Sequence, residues 1–202
     1  RRRAGASVDT VAYNWFTMLL KMLATQGGQV VEEDVLSAIL ALASSLGIKF
    51  INYMSAFEPF LTKALQNTES PTCNVAIGLV GDLSQAMGVE ILPYLQGLLS
   101  VLGGNLNNAE VRRDLRPLLL LCFGDVAAAV GKHFKPYISV IMDICKVALE
   151  IEPEDSSLDT LDYVLNVKEA ILDAYVGIIT SGTEEPASVY PYLGQVFKFI
   201  QD

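Results

Sequence analysis

The sequence predicts an all-α protein in which antiparallel helix pairs stack into a right-handed superhelix of about nine helices. The first observation is an internal repeat, since the segment 79–102 (LVGDLSQAMGVEILPYLQGLLSVL) returns at 122–145 as CFGDVAAAVGKHFKPYISVIMDIC. Its Gly-Asp, Gly and Pro-Tyr landmarks recur at a constant offset of 43 residues. The second observation is that apolar residues follow helical spacing throughout, with no convincing strand pattern. Self-similarity at about 40–47 residues is typical of HEAT or armadillo repeats, so the predicted fold is a HEAT-repeat solenoid.

Two weaker copies extend the array towards both ends. Upstream, Gly47 and Tyr53 stand 41 residues before Gly88 and Tyr94, and downstream a Pro-Tyr pair at 191–192 follows a longer insertion. We therefore predict a single array of about four and a half repeats after an unpatterned stretch at 1–8, which is expected to be a disordered end or a non-native remnant. The predicted repeats cover 9–47, 48–88, 89–131, 132–182 and, in part, 183–202.

Capping and stop signals set the helix limits in the first half of the chain. Asp9 or Thr10 can cap the first helix, which Gly27-Gly28 stops. The second helix ends at Gly47. Ser70-Pro71 opens a later helix, because a serine side chain caps free N–H groups and proline has none to satisfy.

In the second half, Gly103-Gly104 is predicted to end a helix, and Asn107 with Glu110 resembles a capping pair. Pro117 is predicted to kink the helix that follows. The acidic linker at 152–160 accounts for the longer final offset. The predicted helices span 9–26, 31–46, 50–66, 71–87, 91–102, 109–130, 136–150, 161–179 and 189–200.

The composition fits such an array. The chain is 51% hydrophobic with a formal net charge of −9, as expected for helices that have neighbours on more than one face. The acidic balance argues against nucleic acid or anionic lipid as the main partner and favours basic partners. The alternative is that the scattered acids only keep an apolar rod in solution.

The cysteines and the apolar runs indicate neither disulfides nor membrane insertion. Cys73, Cys122 and Cys145 are odd in number and lack CxxC spacing, so we expect buried, reduced thiols. The richest apolar run, 115–130, has 16 residues and includes charged ones, whereas a membrane-spanning helix needs about 20 predominantly apolar residues. The opening arginines are not followed by the apolar stretch of a signal peptide.

Catalysis and metal binding have little support. The single histidine, His133, has no Cys or Asp at triad-like or metal-like spacing, and the GxSxG, GxxxxGK[ST] and HExxH motifs do not occur. We expect a protein that is not an enzyme and that has no cofactor and no metal.

Four blocks of sequence resemble a specific family. They are 32–65 (EEDVLSAILALASSLGIKFINYMSAFEPFLTKAL), 78–88 (GLVGDLSQAMG), 112–137 (RRDLRPLLLLCFGDVAAAVGKHFKPY) and 161–179 (LDYVLNVKEAILDAYVGII). They are similar to the C-terminal half of the importin-β (karyopherin-β) nuclear import receptors, and the fungal form is the closer match. The likeness covers nearly the whole chain from about residue 8.

The resemblance implies a carrier found in the cytoplasm, the nucleus and the nuclear pore complex. It implies that the concave surface binds the basic segment of the importin-α adaptor and that slots between outer helices bind FG-repeat nucleoporins. It further implies that Ran-GTP releases the cargo, with the main Ran contact in N-terminal repeats that do not match this chain. The alternative is a HEAT scaffold of another intracellular assembly, for example a phosphatase scaffold subunit.

In such solenoids the second helix of each hairpin lines the concave face, so acids on these helices are candidates for contact with a basic segment. The candidates are Glu33, Asp34, Asp82, Asp125, Asp162, Glu169 and Asp173. Asp82 and Asp125 hold the same place in successive repeats, which favours a structural role in which they bond a neighbouring helix end or backbone. For the other acids the alternative is a solvated surface position.

Slots between successive first helices would need apolar side chains to accept a phenylalanine. The candidates are Phe57, Phe60, Tyr94, Leu98, Tyr137 and Ile141. The alternative, which we favour for the two tyrosines, is that they are core residues of the repeat, because an aromatic stripe at helical spacing is usually buried.

Overall fold

The computed structural model describes residues 8–25, 29–153 and 155–201, and most of these residues are helical. Within these ranges there are nine α-helices and no strand, which confirms the predicted all-α class. Residues 1–7 of the unpatterned start lie outside the described residues, whereas residue 8 already belongs to the first helix. The helices are α1 (Val8–Ala24), α2 (Gln29–Leu46), α3 (Ile51–Gln66), α4 (Thr72–Met87), α5 (Leu92–Asn107), α6 (Leu115–Val130), α7 (Lys135–Ala148), α8 (Leu158–Ser181) and α9 (Leu193–Gln201).

Three glycines mark the same bend in successive repeats. Gly47, Gly88 and Gly131 follow α2, α4 and α6 with φ of 55–56°, a left-handed value that glycine adopts without the steric cost of a Cβ atom. A four-residue 3₁₀ turn begins at each glycine and leads directly into the next helix, so the two helices on either side of it form one continuous helical run. Each turn buries one apolar side chain, and these are Phe50, Ile91 and Phe134.

The helices form two layers around a continuous apolar core. The second helices of the hairpins, α2, α4, α6 and α8, pack extensively against one another in sequence, whereas the first helices touch their neighbours in the row much less. Closer spacing along one row places that row on the inner side of a curved stack. We therefore call α2, α4, α6 and α8 the inner helices, and α1, α3, α5, α7 and α9 the outer helices.

Three stretches of the described residues are long and apolar enough to cross a membrane by length and composition alone, namely Val31–Gln66, Thr72–Asn107 and Leu115–Ala148. Each stretch consists of two helices that meet at one of the glycine bends. The separate helices have 14 to 18 residues, whereas a straight membrane-spanning helix needs about 20. Much of their apolar surface is already used in packing between helices, where Ile77 and Leu119 are fully buried.

Two predicted limits in the third hairpin are wrong. Helix α5 continues through Gly103-Gly104 to Asn107, because the space around both glycines is open and nothing forces a turn there. Helix α6 begins at Leu115, so Pro117 lies in its first turn, where a missing N–H costs no helical hydrogen bond and no kink is needed. Asn107 is the last residue of α5, and Asn108 Oδ1 accepts the N–H of Glu110 at 3.0 Å in the turn that follows, so the predicted helix-capping pair does not form.

Helix α8 begins with a hydrogen-bonded cap. Ser157 Oγ accepts the N–H of Thr160 at 3.4 Å, and Asp155 Oδ1 accepts the N–H of Ser157 at 2.9 Å. Hydrogen bonds from Ser157 hold the pKa of Asp155 below its usual range. The cap starts α8 three residues earlier than predicted, which adds Asp159 to the acids of this helix.

Candidate peptide-binding grooves

An open groove of about 730 Å³ runs between the inner helices α6 and α8. We call it the inner groove. Its apolar part consists of Pro117, Leu118, Leu121, Tyr163 and Ala170, and its carboxylates are Asp114, Asp159, Asp162, Glu169 and Asp173. Asn166 and one base, Arg113, complete the lining.

Two glycines bring α6 and α8 close enough to form this groove. A Cβ atom added to Gly177 would lie 2.6 Å from the Cα atom of Gly124, and one added to Gly124 would lie 2.8 Å from the carbonyl oxygen of Asp173. Both distances are shorter than real Cβ contacts, so neither position has room for a side chain. The backbones therefore meet at these residues, and this contact sets the register in which the acids of α8 face α6.

Four of the groove carboxylates have no ion-pair partner within the described part of the chain. Asp159, Asp162, Glu169 and Asp173 are exposed. Asp114 differs, because it accepts hydrogen bonds from Arg112 and from Asn74 Nδ2, the latter at 3.1 Å, and this pairing lowers its pKa. The groove thus offers several uncompensated negative charges around an apolar floor, which suits a cationic segment with apolar side chains.

A row of carboxylates crosses three inner helices at Asp82, Asp125 and Asp173. Partial burial, together with the negative charges of Asp82 and Asp173, raises the pKa of Asp125. Asp125 Oδ1 accepts a hydrogen bond from Gln85 Nε2 at 3.2 Å, and the carboxyl lies against Gly81, where a Cβ atom would come within 3.0 Å of it. Asp125 therefore packs between helices as expected, but its partner is a side chain rather than a helix end or the backbone.

The predicted acids separate into three groups, of which Asp82 and Asp125, in the row described above, are one. Asp162, Glu169 and Asp173 lie together in the inner groove. Glu33 and Asp34 lie on α2, half-buried and exposed respectively, and are not part of this groove. The sequence interpretation missed Asp159, because it began α8 too late, and it missed Tyr163, whose apolar neighbours on α6 become apparent only when the register of the two helices is known.

A second groove, of about 550 Å³, lies between the outer helices α1 and α3. We call it the outer groove. Its lining is mainly aromatic and aliphatic, with Tyr13, Phe16, Leu20, Tyr53, Ala56 and Phe60. The rings of Phe16 and Tyr53 lie 4.8 Å apart. Such a surface can take up an apolar side chain from a partner.

Of the residues predicted to line outer slots, some lie at the surface and others are buried in the core. Phe60 lies in the wall of the outer groove. Phe57 and Leu98 are 0% exposed and Ile141 is 3% exposed, so the expectation that they line a surface slot is wrong in this structure, because their face of the helix meets the core. Tyr94 and Tyr137 are half-buried against the core, in agreement with the favoured alternative.

The cysteines and the histidine of the described residues lie apart from the two grooves. The three cysteines are buried and unpaired. In the part of the chain that the structure describes, no group of three or more His, Cys, Asp or Glu side chains could hold a metal ion. His133 is exposed in the 3₁₀ turn before α7.

Stacked helical hairpins with an acidic groove on the inner side and an apolar groove on the outer side define the class: a helical-repeat solenoid. All of residues 1–202 match the family described as importin subunit beta-1-like, TPR repeats. The chain belongs to this importin subunit beta-1 family. The 43-residue offset is longer than the about 34 residues of a TPR unit and fits the HEAT period.

Three curated relatives are each an importin subunit beta-1. The protein of Saccharomyces cerevisiae is 38% identical over 98% of this chain, that of Schizosaccharomyces pombe 35% identical over 98%, and that of Arabidopsis thaliana 31% identical over 83%. The two fungal relatives are the more similar, as the sequence blocks indicated. The chain covers 23%, 24% and 20% of these relatives, or about a quarter of their length or less.

Solved structures give the same result. Yeast importin-β (Kap95p) superposes with a TM-score of 0.90 at 38% identity, over 99% of this chain and 23% of that one. A Kap95:Nup1 complex matches with a TM-score of 0.90 at 38% identity, over 96% of this chain and 23% of that one. A structure in which Kap95p binding induces the switch loops of RanGDP to adopt the GTP-bound conformation matches with a TM-score of 0.88 at 38% identity, over 99% and 23%.

Proposed function

We propose that this chain is a segment of a nuclear import receptor and that its inner groove binds the basic segment of an importin-α adaptor. The observation that carries the proposal is the set of four unpaired carboxylates, Asp159, Asp162, Glu169 and Asp173, around the apolar floor of the groove. Membership of the importin subunit beta-1 family supports the choice of partner. No catalytic step is part of the proposal, and the protein acts by binding.

The expected mode of binding follows from the exposure of the acids. Exposed charge pairs are individually weak, about 0.2–1 kcal/mol each, and salt screens them. Several such pairs together steer a basic segment into the groove and speed its association. Apolar side chains of the segment then contact Leu118 and Leu121, which supplies a contribution that salt affects less.

A titration of the chain with a fluorescent peptide of the basic adaptor segment tests the proposal. We expect Asp162→Asn/Glu169→Gln to weaken binding about ten-fold at low salt and less at moderate salt. The matched control is Asp143→Asn/Glu90→Gln, which removes the same charge from exposed positions outside the groove. Equal losses of affinity in both variants would mean that only the net charge of the chain matters. Unchanged affinity in Asp162→Asn/Glu169→Gln would exclude the inner groove as the binding site.

We propose a second binding function for the outer groove, which takes up the phenylalanine side chains of FG-repeat nucleoporins. The supporting observation is its aromatic and aliphatic lining between two successive outer helices. Ala56→Trp fills the groove and is expected to abolish binding of an FG peptide. Ser55→Trp places the same ring at a neighbouring exposed position of α3 outside the groove and is expected to have no effect. Equal effects of the two variants would refute the assignment.

The remaining partner and the location follow from the family. We propose that Ran acts on the whole receptor, of which this chain is about a quarter, and that the receptor moves between cytoplasm and nucleus through the nuclear pore complex. The relative Kap95 supports this proposal, since it is known in structures with RanGDP and with Nup1. A pull-down of the whole receptor with Ran in each nucleotide state provides the test, and failure of both forms to bind would contradict the proposal.

A further inference from the structure

The inner groove, whose carboxylates would attract a positively charged partner, contains a positively charged side chain of its own. Arg113 is the only base among the described residues that line the groove. Its guanidinium carbon lies 3.9 Å from the centroid of the Tyr163 ring, well within the distance of a cation–π contact. Arg113 forms no ion pair within the described part of the chain, although five carboxylates line the same groove and its charge helps to lower the pKa of the nearby Asp155. Its contact with α8 is therefore the face of the tyrosine.

The neighbouring residue holds the turn in which Arg113 lies. Arg112 donates hydrogen bonds to Asp114, to Asn74 Oδ1 at 3.1 Å and to the carbonyl oxygen of Glu69 at 3.4 Å. These bonds tie the turn before α6 to the preceding hairpin. Arg113 extends from this anchored turn, and its exposed side chain reaches the Tyr163 ring on α8.

We propose that Arg113 is an internal competitor, which occupies the aromatic position of the inner groove that an arginine or lysine of the basic partner would otherwise take. The inference rests on the proposed function of that groove. A guanidinium on an aromatic ring is a favourable contact for the partner as well as for Arg113, and the two cannot use the same ring face together. Arg113 also repels the partner's positive charge. The contact between Arg113 and Tyr163 therefore lowers the affinity of the groove for the basic segment. Without it, the carboxylates and the apolar floor of the groove would bind the segment more tightly.

The test compares affinities for the fluorescent basic adaptor peptide. Arg113→Ala frees the ring and removes the repulsion, so we expect binding to tighten about five-fold at low salt. Arg113→Lys keeps the charge but stacks less well, so an intermediate gain is expected. The control is Lys146→Ala, which removes one exposed positive charge outside the groove and is expected to change the affinity by less than about two-fold.

A double-mutant cycle separates the ring from the charge. Tyr163→Leu keeps an apolar side chain in place, and it is expected to lower the affinity of the wild-type chain less than that of Arg113→Ala, because in the wild type Arg113 covers the ring. In the Arg113→Ala background the same change should remove the part of the gain that depends on the ring. Thermal unfolding of each variant verifies that it is folded.

The outcomes distinguish this inference from the proposed function. If the wild-type chain binds the peptide and loses affinity in Asp162→Asn/Glu169→Gln, while Arg113→Ala binds equally or more weakly than the wild type, the competitor is refuted and the groove assignment stands. If neither binds, both are refuted. Binding by Arg113→Ala alone, or a gain that Tyr163→Leu diminishes, supports the competitor.

Discussion

The close approach of α6 and α8 at Gly177 gives the sharpest prediction for stability. A Cβ atom at this position would lie 2.6 Å from Gly124 Cα and closer still to the carbonyl group of Gly124. Ordinary contact needs about 3.4–4 Å, and backbone atoms cannot rotate away, so Gly177→Ala forces the two helices apart by about 1 Å. Overpacking of this kind costs about 3 kcal/mol, at the upper end of the usual range. The better helix propensity of alanine returns about 1 kcal/mol.

We therefore expect Gly177→Ala to lower the free energy of unfolding by about 2 kcal/mol. For a chain of this length that corresponds to a fall in Tm of about 4–8 °C, measured by circular dichroism. Gly78→Ala is the matched control, because Gly78 lies inside α4 with nothing within 4 Å of its Cβ position, and it should stabilise by about 0.5–1 kcal/mol. If Gly177→Ala were as stable as the control, the close contact would not exist.

Three further predictions concern buried or partly buried polar groups. The pKa of Asp125 is raised in the folded state, so ionisation of its carboxyl destabilises the fold as the pH rises through that pKa. Asp125→Asn should therefore raise the free energy of unfolding by about 0.5 kcal/mol at pH 7 and leave it unchanged at pH 3, as measured by urea unfolding at both pH values. Thr72 Oγ1 is buried without a hydrogen-bond partner, so Thr72→Val should raise the free energy of unfolding, measured with urea, by about 1 kcal/mol. A lower free energy of unfolding would mean that the hydroxyl does have a hydrogen-bond partner. Burial raises the pKa of Cys73 to about 11 and that of Cys145 to about 12, and it raises that of Cys122 as well. A disulfide reagent at pH 8 should therefore label no thiol of the folded chain and all three in denaturant, and rapid native labelling would contradict this burial.

The repeat landmarks could be predicted from sequence because their cause is local. Gly47, Gly88 and Gly131 recur because each bend needs a left-handed φ. Glycine adopts such a φ most readily, so the sequence shows the position of each bend directly. Gly103-Gly104 shows the limit of the same argument. There the space is open and the helix continues, because a glycine permits a turn without requiring one.

The grooves could be predicted only in part. Asp162, Glu169 and Asp173 share one face of α8, which helical spacing already indicates. Tyr163 and Leu118 join them only through the register that the Gly124–Gly177 contact sets, and this register is a tertiary property. Phe57 was misassigned for a related reason, since spacing identifies an apolar face without saying whether the core or an outer neighbour meets it.

The most direct test of the central claim is to locate the basic adaptor segment on the chain by photo-crosslinking. The peptide would carry one benzoylphenylalanine, and mass spectrometry would identify the residues that it labels. Binding in the inner groove predicts adducts at Leu118, Leu121 and Ala170 that high salt diminishes. Adducts confined to α2, to the outer groove or to the outer helices would contradict the claim that the acids between α6 and α8 form the binding site.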